Sequence, residues 1–192
     1  MIHVCYSLRD ESGKYSKFAG TSIQSLLDNT SEEVTIHLIH DSTLSKSNRK
    51  KFLKIVYNHE QEIKFYNVEE LIPNCHELIK KAVARINDFW AGLAGFYRTL
   101  IPDFLPADAS HAIYLDTDIL VNLDIAELWK IDLEDKLIGA IPEAASGFSL
   151  DKAMDVIPCK KNLVDPQKYF NSGVMVFNLD QIRKFFGGGA DF

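Results

Sequence analysis

Two aspartates one residue apart are the clearest candidates for chemistry in this sequence. Residues 111–124, "HAIYLDTDILVNLD", place Asp116 and Asp118 directly after an apolar run. Carboxylates beside apolar side chains are unfavourable unless a partner compensates for their lost hydration. In an extended segment, side chains two residues apart point the same way, so both carboxylates aim at one point while Thr117 turns away. The spacing therefore predicts that the two acids share a cation.

The ligand type indicates which cation this is. Oxygen ligands without neighbouring Cys or His favour a hard ion such as Mg²⁺ or Mn²⁺. Two carboxylates leave most of an octahedron to water or to phosphate oxygens of a ligand, so we expect a metal–diphosphate site. The alternative is that one aspartate caps a turn and the other is solvated, which is common for an isolated D-x-D. The long apolar stretches on both sides favour the functional interpretation.

The elements around this pair predict an α/β layered fold. Strands are predicted at residues 2–8, 34–41, 62–68, 111–116, 137–143 and 169–179, and helices at 15–29, 45–59 and much of 69–105, with breaks at Pro73 and Pro102. Consecutive apolar residues in the fourth strand favour burial on both faces of a parallel or mixed sheet. Such sheets bind ligands beyond the carboxyl ends of their strands, where the two aspartates lie.

Length and composition limit the possible classes. The 192 residues, 46% hydrophobic and 25% charged, suit one domain spanning 1–192. A net charge of −6 argues against general nucleic-acid binding. No apolar run is long enough for a membrane span. Three scattered cysteines form neither a zinc pattern nor a disulfide framework, and no signal-peptide core is visible, so a cytoplasmic protein is expected. The basic segment 45–59 is interpreted as solvated surface.

Three segments in sequence order resemble the family-8 glycosyltransferases, the retaining galactosyl- and glucosyltransferases of the glycogenin and lipopolysaccharide type. They are "FYRTLIPDFLP", "AIYLDTDILVNLDIAELW" and "YFNSGVMVFNL", and the resemblance extends from "HVCYSL" to "NLDQIRKF". The resemblance implies a GT-A fold, which is a Rossmann-like nucleotide-sugar-binding domain with a central mixed, mostly parallel sheet flanked by helices. It also implies a divalent cation, usually Mn²⁺, and a nucleotide-sugar donor, most often a UDP-hexose.

The resemblance assigns Asp116 and Asp118 to metal binding, with the first also near the ribose and Thr117 between them at the donor. Arg98, in "FYRTL", matches an arginine that lies against the donor. A guanidinium suits that role because it can donate two parallel hydrogen bonds to a pair of oxygens. The alternative for Arg98 is an ordinary surface ion pair on a helix.

Residues further along match the sugar-binding side of the family's site. Asn171, Ser172 and Gly173 match a motif beside the donor sugar, where an amide meets hydroxyls and a glycine permits close approach. Arg98 and Asn171 are the residues expected to act in catalysis. Glu143 matches an acid that touches the sugar. The alternative for the Asn-Ser-Gly segment is a β-bulge or tight bend.

The N-terminal match is imperfect. The family usually has a strand ending in small residues and an Asp, with a Tyr close behind, to hold uracil and ribose. Here Cys5, Tyr6 and Ser7 replace the small residues, and Asp10 and Tyr15 are set further apart. These five are expected to contact the nucleoside, with backbone groups of Tyr6 and Ser7 facing the base. The sequence therefore specifies the metal site more firmly than the base.

Two family features are absent downstream. No "HxxGxxKPW"-type motif supplies a third, histidine metal ligand, and no acidic segment follows the Asn-Ser-Gly motif. The sequence is therefore interpreted as a catalytic domain incomplete at its C-terminus, expected to bind its donor weakly and to transfer poorly. One alternative is a haloacid-dehalogenase-type phosphatase, which also uses a D-x-D motif. It is disfavoured because that class has Thr or Val two residues after the second aspartate, where this sequence has Leu120. The other is a non-catalytic module that binds a nucleotide sugar or a partner. Donor sugar, acceptor and oligomeric state stay open.

Overall fold

The computed structural model describes residues 1–83, 93–142 and 170–187. Their strands form one six-stranded sheet with the order β3-β2-β1-β4-β6-β5. The strands are β1 (Ile2–Leu8), β2 (Val34–His40), β3 (Glu62–Asn67), β4 (His111–Leu115), β5 (Ile138–Pro142) and β6 (Phe170–Asn178). The helices are α1 (Tyr15–Asp28), α2 (Lys46–Asn58), α3 (Val68–Leu71), α4 (Cys75–Val83), α5 (Ala94–Tyr97), α6 (Ile101–Phe104), α7 (Ala126–Trp129) and α8 (Leu179–Phe185).

The sheet is mixed and mostly parallel. Strand β1 runs parallel to β2 and β4, and β2 runs parallel to β3. Strand β6 is antiparallel to both β4 and β5. Helices α1 and α2 follow β1 and β2 and connect each of them to the next parallel strand. This architecture confirms the predicted α/β fold class. No helix within the described residues is long and apolar enough to cross a membrane.

Strand β4 is buried on both faces, as its apolar run predicts. Ile113 and Leu115 point into one core cluster, which α1 and α2 cover with residues such as Ile23 and Phe52. Ala112 and Tyr114 point into a second cluster on the opposite face, with residues of α5, α6 and α8. The alternation follows from the two-residue period of a strand. The carboxyl end of β4 therefore emerges between two packed layers, which hold the following residues in place.

The region predicted as mainly helical, 69–105, is divided into short pieces. Helices α3 and α4 are separated around Pro73, as expected. Segment 94–104 runs continuously through α5, a 3₁₀ turn (Arg98–Leu100) and α6, and Pro102 sits in the first turn of α6. A proline is tolerated there because the N–H that it lacks would have no helical partner. The parts of the prediction at 84–92, and the strand ends at 143 and 169, lie outside the described residues.

Candidate functional site

The carboxyl ends of β1 and β4 open into a cavity of about 640 Å³. Its walls come from the β1–α1 loop, the segment around α5, the residues after β4 and the start of β6. The predicted site residues that line it are Ser7, Tyr15, Arg98, Asp116, Thr117, Asp118 and Ser172. The fold thus brings together residues from four separate parts of the sequence at the sheet edge where ligands are expected.

Asp116 is held where β4 ends and β6 begins to pair with it. Its backbone N–H donates to the carbonyl of Gly173 over 2.8 Å. Its Oδ1 accepts from the Tyr114 hydroxyl at 2.7 Å and from Arg98 Nη2 at 3.2 Å. Thr117 is buried, whereas Asp118 is exposed and Asp116 is 37% exposed. Thr117 and Asp118 lie in a turn, which the Ile119 N–H closes by donating to the Asp116 carbonyl at 3.2 Å, so the extended geometry predicted for D-T-D does not continue past Asp116. Both aspartates nevertheless line the cavity, and the Asp116 carboxylate is engaged by other side chains and not as a turn cap.

Arg98 is fixed inside the cavity wall. Its Nε donates to the Gly95 carbonyl at 2.6 Å, its Nη1 donates to the Ser172 carbonyl, and its guanidinium carbon lies 4.5 Å from the centre of the Tyr114 ring. The side chain is only 14% exposed. Burial raises the pKa of the Tyr114 phenol, so the phenol stays protonated and donates to Asp116. The alternative of an ordinary surface ion pair therefore does not describe Arg98, which places a fixed positive charge beside the aspartates.

The Asn-Ser-Gly segment packs directly against Asp116. The Asn171 side-chain oxygen accepts from the Gly173 N–H at 2.8 Å. A Cβ at Gly173 would lie 2.9 Å from Asp116 Oδ2 and 3.0 Å from Asn171 Oδ1, so only glycine lets β6 approach this closely. The pairing of β5 with β6 jumps here from Ala140↔Met175 to Ile141↔Asn171. The irregularity that the sequence offered as an alternative is thus present, and it coexists with the close approach.

The predicted nucleoside residues divide into two groups. The backbone of Ser7 lies beyond the β1–β4 ladder, which ends at Cys5↔Tyr114. The Ser7 hydroxyl is buried at the cavity and has no hydrogen-bond partner among the described residues. The Cys5 and Tyr6 side chains are fully buried, and Tyr6 accepts from Ser22 in the core beneath α1. Neither residue is among those that line the cavity, so their side chains are not available to a ligand there.

Asp10 supports the start of α1 instead of facing the cavity. Its Oδ1 accepts from the Tyr15 N–H at 3.0 Å, and its Oδ2 accepts from the Ser16 hydroxyl and from Asn48 Nδ2 at 3.3 Å. Both oxygens are thus used at a helix N-terminus, where a carboxylate is favourable. Asp10 can act on a ligand only by fixing the loop that carries Tyr15. Glu143 lies outside the described residues.

Arg9 is a cavity residue that the sequence interpretation did not include. Its Nη1 donates to Asp41 Oδ2 at 2.6 Å, and its Nε donates to Glu11 Oε1 at 3.1 Å. The Asp41 side chain is fully buried and also accepts from the Tyr97 hydroxyl at 3.0 Å. Burial alone would raise the pKa of Asp41, but hydrogen bonds from Thr43 and Tyr97 and the charge of Arg9 lower it. The charged run "RDE" directly after β1 was the available signal for this second cation.

The donor set around the aspartates suits a hard ion. No group of three or more His, Cys, Asp or Glu side chains is arranged to hold a metal anywhere in residues 1–83, 93–142 and 170–187. These residues would therefore offer two carboxylates, both reaching the cavity, and leave further positions to water or a ligand. An all-oxygen, partly open site of this kind fits Mg²⁺ or Mn²⁺.

Comparison with known sequences gives the same family as the motifs. The profile of glycosyl transferase family 8 matches residues 5–185. General stress protein A of Bacillus subtilis (strain 168) is 27% identical over 172 residues, covering 88% of this chain and 54% of that protein. Probable galacturonosyltransferase-like 10 of Arabidopsis thaliana is 28% identical over 195 residues, covering 95% and 49%. The chain thus spans about half the length of these relatives.

Solved structures show the same fold. Galactosyltransferase LgtC, in complex with donor and acceptor sugar analogs, superposes with a TM-score of 0.71 at 20% identity, covering 95% of this chain and 60% of that one. The bifunctional glycosyltransferase WbbM superposes with a TM-score of 0.71 at 19% identity, covering 96% and 32%. These similarities confirm the GT-A fold, and the family match removes the haloacid-dehalogenase alternative. The chain belongs to glycosyl transferase family 8.

Proposed function

We propose that this protein is a metal-dependent glycosyltransferase. It takes a hexose from a nucleotide-sugar donor, UDP-glucose or UDP-galactose, and transfers it with retention of configuration to a saccharide, lipid-linked or protein acceptor. The observation that carries the proposal is the meeting of Asp116, Asp118 and Arg98 in one cavity, with the Asn-Ser-Gly segment packed against Asp116. Family membership supports the class of reaction.

Asp116 and Asp118 are the residues that would hold Mn²⁺ or Mg²⁺. When bound, such an ion supplies Lewis-acid stabilisation of the leaving diphosphate. Oδ1 of Asp116 already accepts hydrogen bonds from Tyr114 and Arg98. Its Oδ2 and the exposed Asp118 carboxylate are therefore the oxygens proposed to bind the ion. The hydrogen bonds on Oδ1 orient the Asp116 carboxylate before any ligand arrives, as outer partners of metal ligands generally do.

Arg98 and Asn171 act on the donor in this proposal. The Arg98 guanidinium is oriented by Gly95 and Ser172, so its charge can stabilise negative charge that develops on the leaving group without reorganisation. The Asn171 oxygen accepts from Gly173, which leaves its amide N–H groups to donate to sugar hydroxyls. Ser172 and Thr117 line the cavity beside Arg98. Glu143 is proposed to contact the sugar.

The nucleoside is proposed to occupy the opposite end of the cavity. Ser7 and Tyr15, which are proposed to contact it, line the cavity together with Arg9 and Glu11, two residues that the sequence did not predict. Arg9 offers N–H donors and Glu11 a carboxylate acceptor, so the pair could read the donor and acceptor groups of a base or ribose. Cys5 and Tyr6 contribute through their backbone, and Asp10 through its support of the loop.

A reducing, cytoplasmic compartment is also part of the proposal. Its support is that Cys5 and Cys75 are both buried free thiols, which is the usual state in such a compartment. The second candidate function, a non-catalytic module that binds a nucleotide sugar, is favoured by one observation: the described residues supply two carboxylates and no further metal ligand.

Calorimetry with UDP tests the proposal. UDP should bind in the presence of Mn²⁺ and lose most of its affinity in EDTA. Asp118→Asn should have the same effect because an amide is a poor ligand for a hard ion. Asp103→Asn, an exposed position on α6, is the matched control and should bind as the wild type does. Equal UDP affinity with and without EDTA would contradict the metal–diphosphate assignment. Metal-dependent binding without transfer to any acceptor would favour the non-catalytic module.

A further inference from the structure

The outer surface of α1 and α2 is strongly cationic in an otherwise acidic protein. Both helices cover the same face of the sheet, since their buried residues belong to one core cluster. Residues 12–27 and 42–59 contain no Asp or Glu, although the whole chain has a net charge of −6. The exposed basic side chains on this surface, called here the cationic face, are Lys14, Lys17, Lys46, Arg49, Lys50, Lys51 and Lys54.

Within the part of the chain that the structure describes, these charges are not paired with acids. No ion pair joins any of them to an acid among the described residues. Lys51 donates to the neutral Asn48 side chain at 3.1 Å, and the Arg49 guanidinium lies 4.2 Å from the centre of the Phe65 ring. Like charges four residues apart on a helix, such as Lys50 and Lys54, are destabilising. The cluster is thus maintained against a small cost in folding free energy.

Exposed apolar side chains lie among the cations. Tyr57 is 81% exposed and Phe18 is 51% exposed, and Leu53 and Tyr15 are also exposed. The Tyr15 and Phe18 rings contact each other edge to face with centroids 6.0 Å apart. Lysines surrounding exposed tyrosine, phenylalanine and leucine are typical of surfaces that rest in the interfacial region of a bilayer.

We propose that the cationic face docks this protein on a bilayer that carries anionic lipid headgroups. The breadth of the face favours a flat, diffuse partner: α2 alone has 13 residues, roughly 20 Å of helix. Six of the seven cations are lysines, which act as hydrated point charges and lack the fork with which arginine recognises individual phosphates or carboxylates. This composition suits attraction to a charged surface better than recognition of one soluble anion or of a nucleic acid.

The cationic face also reaches the cavity. Tyr15, which is exposed next to Lys14 of this face, also lines the cavity. Docking would therefore bring the mouth close to the headgroups. The proposal itself rests on charge and exposure and holds whether or not the donor site is catalytic.

Co-sedimentation of the whole chain with lipid vesicles tests this inference. Phosphatidylcholine vesicles containing phosphatidylglycerol should bind the protein at least about tenfold better than phosphatidylcholine alone, since each Lys or Arg near an anionic surface adds to the attraction. Binding should fall as salt screens the charges. The double variant Lys50→Glu/Lys54→Glu should lose on the order of tenfold or more in partitioning, and Phe18→Ser should weaken the part of the binding that survives high salt.

A matched variant separates the face from net charge. Lys81→Glu/Lys184→Glu makes the same change in charge at exposed positions on α4 and α8, which pack on the other face of the sheet. It should bind vesicles as the wild type does. Equal partitioning of the two double variants overturns the proposal, and so does equal binding to neutral and anionic vesicles. Tighter binding to a single-stranded RNA than to anionic vesicles would also overturn it and assign the face to nucleic acid. UDP affinity, measured on the two double variants, should stay unchanged and reports separately on the donor site.

Discussion

Replacing Gly173 by alanine tests whether the close approach of β6 to Asp116 matters for ligand binding. The added Cβ would lie 2.9 Å from Asp116 Oδ2 and 3.0 Å from Asn171 Oδ1. Both distances are too short for a carbon–oxygen contact, so at least one side chain must move. Asp116 cannot simply rotate, because its Oδ1 is tied to Tyr114 and Arg98. We therefore expect the carboxylate proposed to bind the metal to be displaced.

The cost of such overpacking is typically about 1–3 kcal/mol. If that cost falls on the geometry of the bound ion, UDP affinity in Mn²⁺ should drop roughly 10- to 100-fold, since each 1.4 kcal/mol corresponds to about a factor of ten. Isothermal titration calorimetry of UDP, with Mn²⁺ in excess, measures this directly. Raising the Mn²⁺ concentration should recover part of the affinity, because the damaged interaction is the one with the ion.

Gly139→Ala is the matched control for Gly173→Ala. A Cβ at Gly139 would lie 2.7 Å from Leu133 Cδ2, so this substitution also overpacks the protein, on β5 and away from the cavity. It should lower the melting temperature and leave UDP affinity unchanged. Unchanged UDP affinity in Gly173→Ala, with the protein folded, would refute the reasoning. So would an equal loss of affinity in Gly139→Ala.

Three further results are expected. Asn171→Ala should weaken UDP-glucose and UDP-galactose roughly 2- to 10-fold more than UDP, because one hydrogen bond to the sugar is lost, and equal losses for all three in calorimetry would indicate a structural turn. Arg98→Lys should lower UDP affinity about tenfold or more, because an ammonium cannot reproduce its fork to Asp116 and Ser172, and wild-type affinity would contradict this. Because the pKa of Asp41 is depressed, its contribution to the free energy of unfolding is present above the ordinary value of 3.8 and is lost as pH falls through the lowered pKa. Chemical denaturation between pH 2 and 7 should show that loss in the wild type and a shallower one in Asp41→Asn.

The sheet and the aspartate pair were predictable because their signals are local. The consecutive apolar residues of β4 can be buried on both faces only in a central strand, and the charges that follow must then lie at a sheet edge. The sequence also predicted β1 and β6 as strands, and the structure confirms all three. This reasoning uses only the order of apolar and charged residues along one strand, and that order can be read from the sequence.

The contacts of Arg98 and Asp10 could not be read in this way. Whether an arginine on a short helix faces solvent or another strand depends on how α5 packs, and the sequence records no such distance. Asp10 has the residue type expected for the nucleoside, yet its carboxylate is used at the start of α1. Arg9, one position earlier, faces the cavity instead. A shift of one residue at the end of a strand reverses the direction of a side chain, so residue type alone did not decide which of the two meets the ligand.

The consecutive residues Tyr97 and Arg98 link the proposed nucleoside and diphosphate ends of the cavity. Tyr97 donates to Asp41, which holds Arg9 at the proposed nucleoside end. Arg98 holds Asp116 and the Ser172 carbonyl at the proposed diphosphate end. Both cationic groups therefore depend on the placement of one helical segment, 94–100, and a donor that contacts both ends would meet charges already fixed relative to each other. Such preorganisation reduces the entropy lost on binding. A substitution that shifts this segment should then weaken nucleoside and diphosphate recognition together, whereas substitutions at Arg9 or at Arg98 should weaken them one at a time.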